Sequence, residues 1–590
     1  MKKRSFFIGA SILAIGGFLA KILGAFYKIP LTHILGANGM GVYYLVFPFY
    51  SLALILASSG LSVAVTRLVS INRERFNRRT EQKILKIAIL IAFCLSIMLV
   101  GLTILVAKPF SFLQGNGNSY LSYFAIAPAI VFASIVSVLK GYFQGVENMM
   151  PSSISLIIQQ ASRLIFGLLL AYELMHYGVQ YSVLGAILGV TISEFVAMCY
   201  LIIRYVVYKK KQFYIFFEKR KDDKRNRIAK LKKECINKGK KICCIPKIVK
   251  QTSASIITKV YYAENKDCVG NKEIFVQLVK YTIPSTLASL ITPLATFVDS
   301  FLVVNLLTSS GFTTTIATSL YGMSNGIVSS LISLPIVIIS ALSTSIVPNL
   351  SHSIEINSRE TVIAKTNFFI KFSWIIALPM FLMFMLFAPE IVEILYSGGL
   401  SNKVIDEFAF SYRILAVSSI SIIYHAFLYT FTAILNAFNK PEIPFYSQCI
   451  ALVVRTILTF TLVKIPELNV FGLLIANIVF LMIACMGCVN RLKDIVPLRF
   501  GIKRFFGVPI ISISVVGVLG YGVKKLCYGL LPAWLEIGII GSIILLMYIV
   551  LLLSMRVFTV KEWSYLPIPK KLMKYLPKKV KSVLETEKVS

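Results

Sequence analysis

The chain has 590 residues, 57% of them hydrophobic and only 15% charged, with a formal net charge of +35 at pH 7. Its mean hydropathy of +0.78 excludes an ordinary water-soluble globule and makes a lipid bilayer the expected solvent. The charge does not point to nucleic acid, because Lys and Arg gather in alternate short loops between apolar runs instead of covering one folded surface.

Taken in chain order, the first element is an apolar run behind Lys2-Lys3-Arg4. It lacks a small-x-small cleavage site before Lys28 and Pro30, so it reads as an uncleaved first span over about 6–29. Thirteen further runs of the length that crosses roughly 30 Å of hydrocarbon as helix follow. They cover about 41–66, 84–107, 120–144, 152–173, 182–207, 275–307, 318–347, 368–389, 409–437, 444–464, 469–490, 503–525 and 533–556. The expected fold is therefore an all-α polytopic membrane protein of about 14 transmembrane helices.

Loop charges give the orientation. The second loop carries Arg67, Arg73, Arg75, Arg78, Arg79, Lys83 and Lys86; the eighth Arg359, Lys365 and Lys371; the twelfth Arg491, Lys493, Arg499, Lys503 and Arg504. Odd loops are almost bare, which places the even loops and both termini in the cytoplasm and the chain in the inner (cytoplasmic) membrane. Lys524 and Lys525, at the outer end of the thirteenth span, break the pattern. Glu390, Glu393, Asp406 and Glu407 form the main acidic cluster outside and read as surface.

The sixth loop holds about 20 basic residues and far fewer acids, and reads as a solvated linker near anionic lipid headgroups. Its Cys235, Cys243, Cys244 and Cys268 lack paired C-x-x-C spacing, and the other cysteines lie in apolar runs, so neither a metal site nor a disulfide framework is expected. The expected division is an N-terminal six-helix lobe (1–207), this linker (208–274), a C-terminal six-helix lobe (275–490), two additional spans (491–556) and a basic cytoplasmic tail (557–590).

The two lobes read as a repeat. SYFAIAP (122–128), YFQGVENMMP (142–151) and Arg163 in the first correspond to SYRILAV (411–417), ILNAFNKPEIP (434–444) and Arg455 in the second. Six is even, so the copies share an orientation and are related by an axis along the membrane normal.

Charges inside spans cost about 2.5–3.5 kcal/mol each on insertion scales, so they face a watery cavity or a partner. Here they are Lys21, Lys28, Lys140, Arg163, Glu194, Asp299 and Arg455, with cations in the majority, as suits a cavity that attracts phosphate. Lys28 has the alternative of snorkelling to the outer interface, and Lys140 and Arg67 of anchoring inner helix ends. Arg163 and Arg455 divide between anchoring and lining the cavity. Asp299 holds the place in the second lobe that Lys21 holds in the first, and two readings stand: a Lys21/Asp299 pair across the lobes, or a proton or sodium site at Asp299 near Asn477. Four scattered histidines and the lack of a phosphate-binding G-x-x-x-x-G-K-[ST] loop leave no enzyme or ATPase constellation. No cofactor is expected. Transport would draw on Na+, H+, the membrane potential or the substrate's own gradient.

The stretches 18–70, 139–163 (LKGYFQGVENMMPSSISLIIQQASR) and 334–351 (LPIVIISALSTSIVPNLS) resemble the stage V sporulation protein B group of the polysaccharide transporter family. That group belongs to the multidrug/oligosaccharidyl-lipid/polysaccharide flippase superfamily, alongside the MurJ-type lipid II flippases. The resemblance implies two lobes around a V-shaped cavity, alternating access, and an undecaprenyl-pyrophosphate-linked sugar as cargo. It further implies a cationic lining from the first two spans. Lys21 falls on one such position by the match of A-K-I-L-G to S-R-[VI]-L-G; a second falls on Tyr27, beside Lys28; the second-span arginines meet apolar residues near Leu52-Ala53. A monomer, associated with cell-wall synthesis proteins, is expected. The rival readings are a multidrug or cation exporter of the same superfamily and a non-transporting scaffold for envelope or spore assembly.

Overall fold

The structure is a computed structural model, and it describes residues 2–74, 78–237, 270–355, 359–396, 406–498, 503–527, 530, 532–555, 557–558 and 562. Most of the expected linker and the tail beyond Glu562 lie outside the described residues, together with Cys243, Cys244 and Cys268. Among the described residues every regular element is helical.

Helix α1 runs from Lys2 to Leu54 and continues through a π-helical turn at Ile55–Ser59 into α2, Gly60–Glu74. A straight helix over Ile15–Arg73, 59 residues, would be about 88 Å long, nearly three hydrocarbon thicknesses. Gly36 divides it, at φ 63° and ψ −178°, a backbone state open in practice to glycine alone. Among the described residues, thirteen helical stretches are long and apolar enough to cross a membrane. The first contains two passes, so they correspond to the fourteen spans expected from the sequence.

The remaining first-half helices are α3 (Arg78–Leu113), α4 (Tyr120–Gly145), α5 (Met149–Leu174) and α6 (Val179–Asn237). Helix α6 continues some 30 residues beyond the expected end of its span. The segment from Val190 to Asn237 contains no Gly or Pro and is rich in Lys, Arg and Glu, which are good helix formers, so nothing stops the helix where the hydrophobicity ends.

The second half comprises α7 (Asn271–Ser309), α8 (Thr314–Gly322), a π-helical turn (Met323–Val328), α9 (Ser329–Glu355), α10 (Arg359–Leu386), α11 (Ala388–Tyr396), α12 (Glu407–Ser418), α13 (Ile420–Ala437), α14 (Glu442–Leu462) and α15 (Asn469–Ile495). The last two helices are α16 (Val508–Cys527) and α17 (Ala533–Ser554).

Apolar packing follows this order. Leu31, Tyr43, Tyr123, Ala171 and Ile187 join α1, α4, α5 and α6. Leu61, Leu85, Phe143 and Leu201 join α2, α3, α4 and α6, and Leu278 of α7 is added to that cluster. Val303, Leu320, Ile414 and Leu473 join helices of the second half. Trp374 and Leu378 of α10 pack with Val516 and Ile544 of the last two helices. Leu105, Phe112, Ile450, Val518 and Leu546 remain exposed on outward faces. Water would penalise that surface; hydrocarbon does not.

The halves meet where side chains are absent. A Cβ on Gly41 would lie 2.0 Å from the Thr318 carbonyl oxygen, and one on Gly322 2.2 Å from that of Ala37. Hydrogen bonds bind the same end of the bundle. The Gln114 amide donates to the Leu45 carbonyl and the Ser300 hydroxyl, both at 3.0 Å, and Asn116 donates to Thr318 at 3.3 Å. Toward the other end, a Cβ on Gly60 would lie 2.2 Å from the Thr282 carbonyl oxygen, so α2 and α7 touch backbone to backbone.

The acidic cluster read as surface is in part interior. Glu390 and Glu407 are buried, and Glu390 pairs with Lys524 at 2.8 Å. This accounts for a lysine that broke the loop-charge pattern: its charge is answered by a carboxylate from another helix. Lys371, counted above among loop cations, is also buried. It pairs with Glu562 at 3.0 Å and donates to the Val557 carbonyl. The last two helices are thereby tied to the α10–α11 region through both Lys524 and Lys371.

Candidate substrate path and its charged residues

Glu194 on α6 is the hub of a buried network in the first half. Its side chain is 2% exposed and lies 3.7 Å from the Arg163 guanidinium. The Tyr50 hydroxyl donates to it at 3.0 Å, and the Gln159 amide donates to the same oxygen. Gln159 also accepts from the Lys140 ammonium at 3.4 Å. Gln159 and Arg163 stand one helical turn apart on α5, so both reach the same neighbour. Arg163 meets this carboxylate directly and Lys140 is linked to it through Gln159, while the Arg163 Nε is buried with no hydrogen-bond partner among the described residues.

The second half holds the counterpart. Arg455 on α14 meets Asp299 on α7 at 2.5 Å, with the two side chains 7% and 3% exposed. The guanidinium also faces the Phe480 ring at 6.0 Å. The repeat-matched arginines Arg163 and Arg455 are therefore both committed to carboxylates rather than to an open cavity.

This geometry corrects one expectation for Asp299: it pairs with Arg455 and not with Lys21. Asn477 is half-buried on α15 and is not hydrogen-bonded to Asp299.

Lys21, Lys28 and Arg67 have no carboxylate within ion-pairing distance among the described residues. Lys21 is exposed on α1, and its ammonium lies 3.5 Å from the Ser340 hydroxyl of α9. Lys28 is half-buried over the Tyr44 ring at 5.4 Å, a cation–π contact in place of free snorkelling. Arg67 is exposed on α2 and stacks on the Tyr281 ring of α7 at 4.4 Å. The six cations expected along the path thus separate into three bound within the protein and three available.

Sequence reasoning missed Tyr50, Gln159 and Gln114. The spacing of Gln159 and Arg163 at i and i+4 was a usable signal for the Glu194 network. Nothing local marks Gln114, which is buried only because Leu45, Tyr123 and Ser300 close over it. No group of three or more His, Cys, Asp and Glu suited to a metal occurs among the described residues.

Comparison with known proteins agrees with this architecture. Residues 7–227 match the family model described as polysaccharide biosynthesis protein, and residues 253–537 the model described as lipid II flippase MurJ. Stage V sporulation protein B of Bacillus subtilis (strain 168) is 24% identical over 96% of this chain and 99% of its own. Among solved structures, lipid II flippase MurJ in an inward closed conformation aligns with a TM-score of 0.62 and 15% identity, covering 92% of this chain and 98% of that one. An inward-facing MATE family multidrug resistance transporter of the MOP superfamily also aligns at 0.62, with 14% identity, 80% of this chain and 94% of that one. At such identities the structural likeness speaks for the fold alone. The chain is a multi-pass membrane protein whose two halves match these two family models in turn, and it is similar to stage V sporulation protein B over nearly its whole length.

Proposed function

We propose that the protein moves a polyprenyl-pyrophosphate-linked oligosaccharide, lipid II or a related cell-wall or polysaccharide precursor, from the inner to the outer leaflet of the cytoplasmic membrane. Lys21 carries the reading: an exposed ammonium in the middle of an apolar run, facing α9 across the two halves, with no carboxylate to neutralise it among the described residues. A pyrophosphate supplies the missing counter-charge through charge-assisted hydrogen bonds. Lys28 lies about two turns further along the same helix and serves the next position. The sugar occupies the hydrated path while the polyprenyl chain stays in lipid, and the lobes 1–207 and 275–490 rock about the site. The basic even loops support a cytoplasmic position for both termini.

With Asp299 occupied by Arg455, the membrane potential is the drive that fits best. It contributes about 2.3 kcal/mol per elementary charge per 100 mV, and its sign, negative inside, favours outward movement of an anion. The test is depletion of the protein in its host, with rescue by variants and leaflet assignment of polyprenyl intermediates by a membrane-impermeant probe. Lys21→Ala is expected to leave one intermediate in the inner leaflet, and Lys21→Arg to restore it to the outer. A Lys21→Ala protein that rescues fully would remove the central residue of the reading.

A further inference from the structure

Among the described residues Arg67 is a further cation without a carboxylate partner, and polar side chains surround it. A cavity of about 600 Å³ is lined by Val63, Thr66, Arg67, Ser70, Ile71 and Gln144. Arg67 lies six residues before Arg73, where this helical span ends, so it sits about 9 Å from the span's end, near headgroup depth. The polar groups around it are unspent. The Ser70 hydroxyl and the Gln144 amide make no hydrogen bond among the described residues, and Arg67 has no carboxylate partner there. Thr66 is different, since its hydroxyl donates to the Ser62 or Gly141 carbonyl and only helps close the wall.

The guanidinium is held in place from one side. Its face lies over the Tyr281 ring at 4.4 Å, and stacking through the face leaves the in-plane N–H donors free. A planar fork with free donors, a free hydroxyl, a free amide and two apolar walls fits a phosphate group bearing an acyl or prenyl tail. Gln144 comes from the GYFQG stretch and Arg67 from the exit of α2. Two segments far apart in sequence therefore supply one pocket.

We propose that this cavity binds the phosphate of a membrane lipid at the end of the bundle that carries the basic loops, separate from the Lys21 path. The site stands whether or not the cargo is a polyprenyl-linked sugar. The phosphate has two possible sources, an anionic phospholipid of the surrounding leaflet or a polyprenyl pyrophosphate held before it reaches Lys21.

The experiment is native mass spectrometry of the full-length protein in detergent, titrated separately with phosphatidylglycerol and undecaprenyl pyrophosphate. Arg67→Ala and Gln144→Leu are compared with the parent, and Lys21→Ala is included so that loss at the central path is seen separately. Loss of charge-assisted bonds from Arg67 is expected to weaken binding about tenfold or more. Weakening toward both lipids assigns the site to phospholipid headgroups in general; weakening toward the pyrophosphate alone assigns it to the polyprenyl carrier. Arg67→Lys, which keeps the charge but not the fork, should recover part of the loss and reports that the protein is folded. Unchanged binding of both lipids by Arg67→Ala and Gln144→Leu overturns the proposal, even if Lys21→Ala abolishes transport.

Discussion

Replacing Arg455 with Met is expected to damage the protein through stability and not through cargo binding. The guanidinium and the Asp299 carboxylate meet at 2.5 Å with 7% and 3% exposure, so removing the cation leaves a carboxylate buried without a counter-charge. Breaking a buried pair from one side costs about 3–5 kcal/mol, whereas replacing both members by neutral groups is often close to neutral. Arg455→Met and Asp299→Asn should each lower the thermal unfolding midpoint of the purified protein. The Asp299→Leu/Arg455→Met double variant should recover to within about 2 kcal/mol of the parent. It should also rescue transport in the depleted host, because neither group is available to the cargo. A single variant with the parent's midpoint and failed transport, or a double variant no better than the worse single, would refute the structural role and return Arg455 to the substrate path.

Three further outcomes follow from contacts described above. Glu194→Gln takes from Arg163 its carboxylate partner and from Lys140 the charge behind Gln159, and should cost a few kcal/mol in the same assay; Tyr50→Phe, which removes one donor to that carboxylate, should cost about 2 kcal/mol. Gly41→Ala must part α1 from α8, because the clash is with the Thr318 backbone and no rotamer relieves it. Distances between spin labels at that end should lengthen, whereas Gly60→Ala, set against the Thr282 backbone, should open the opposite end. Unchanged distances in both would show that these glycines do not hold the halves together. Lys524→Met should loosen α16 from α11 by leaving Glu390 buried, and protease cleavage between 528 and 532 is expected to quicken; Lys524→Met/Glu390→Gln should return it toward the parent rate.

Several site features were legible in part. The match of Arg163 with Arg455 was readable from the repeat, and the structure gives both a carboxylate partner. What could not be read was the partner. The Arg455–Asp299 contact spans 156 residues of chain, and hydropathy along a helix says only that a charge is costly there, not which neighbour answers it. The same blindness made Glu390 and Lys371 look like loop charges. Lys21 was singled out because it stands between Leu19-Ala20 and Ile22-Leu23, and that local argument needed no partner.

By itself the sequence determined what depends on composition over a turn or a span: that the chain lies in a bilayer, how many times it crosses, and which loops are basic. Membrane helices satisfy their own backbone hydrogen bonds, so each span announces itself without reference to the others. The tertiary structure alone decided which cations are spent and which are free. Lys140, Arg163 and Arg455 sit among polar partners brought from other helices, while Lys21, Lys28 and Arg67 have no carboxylate among the described residues. The distinction rests on contacts of 2.5 to 3.7 Å between side chains on different helices, and such distances are set by packing in three dimensions.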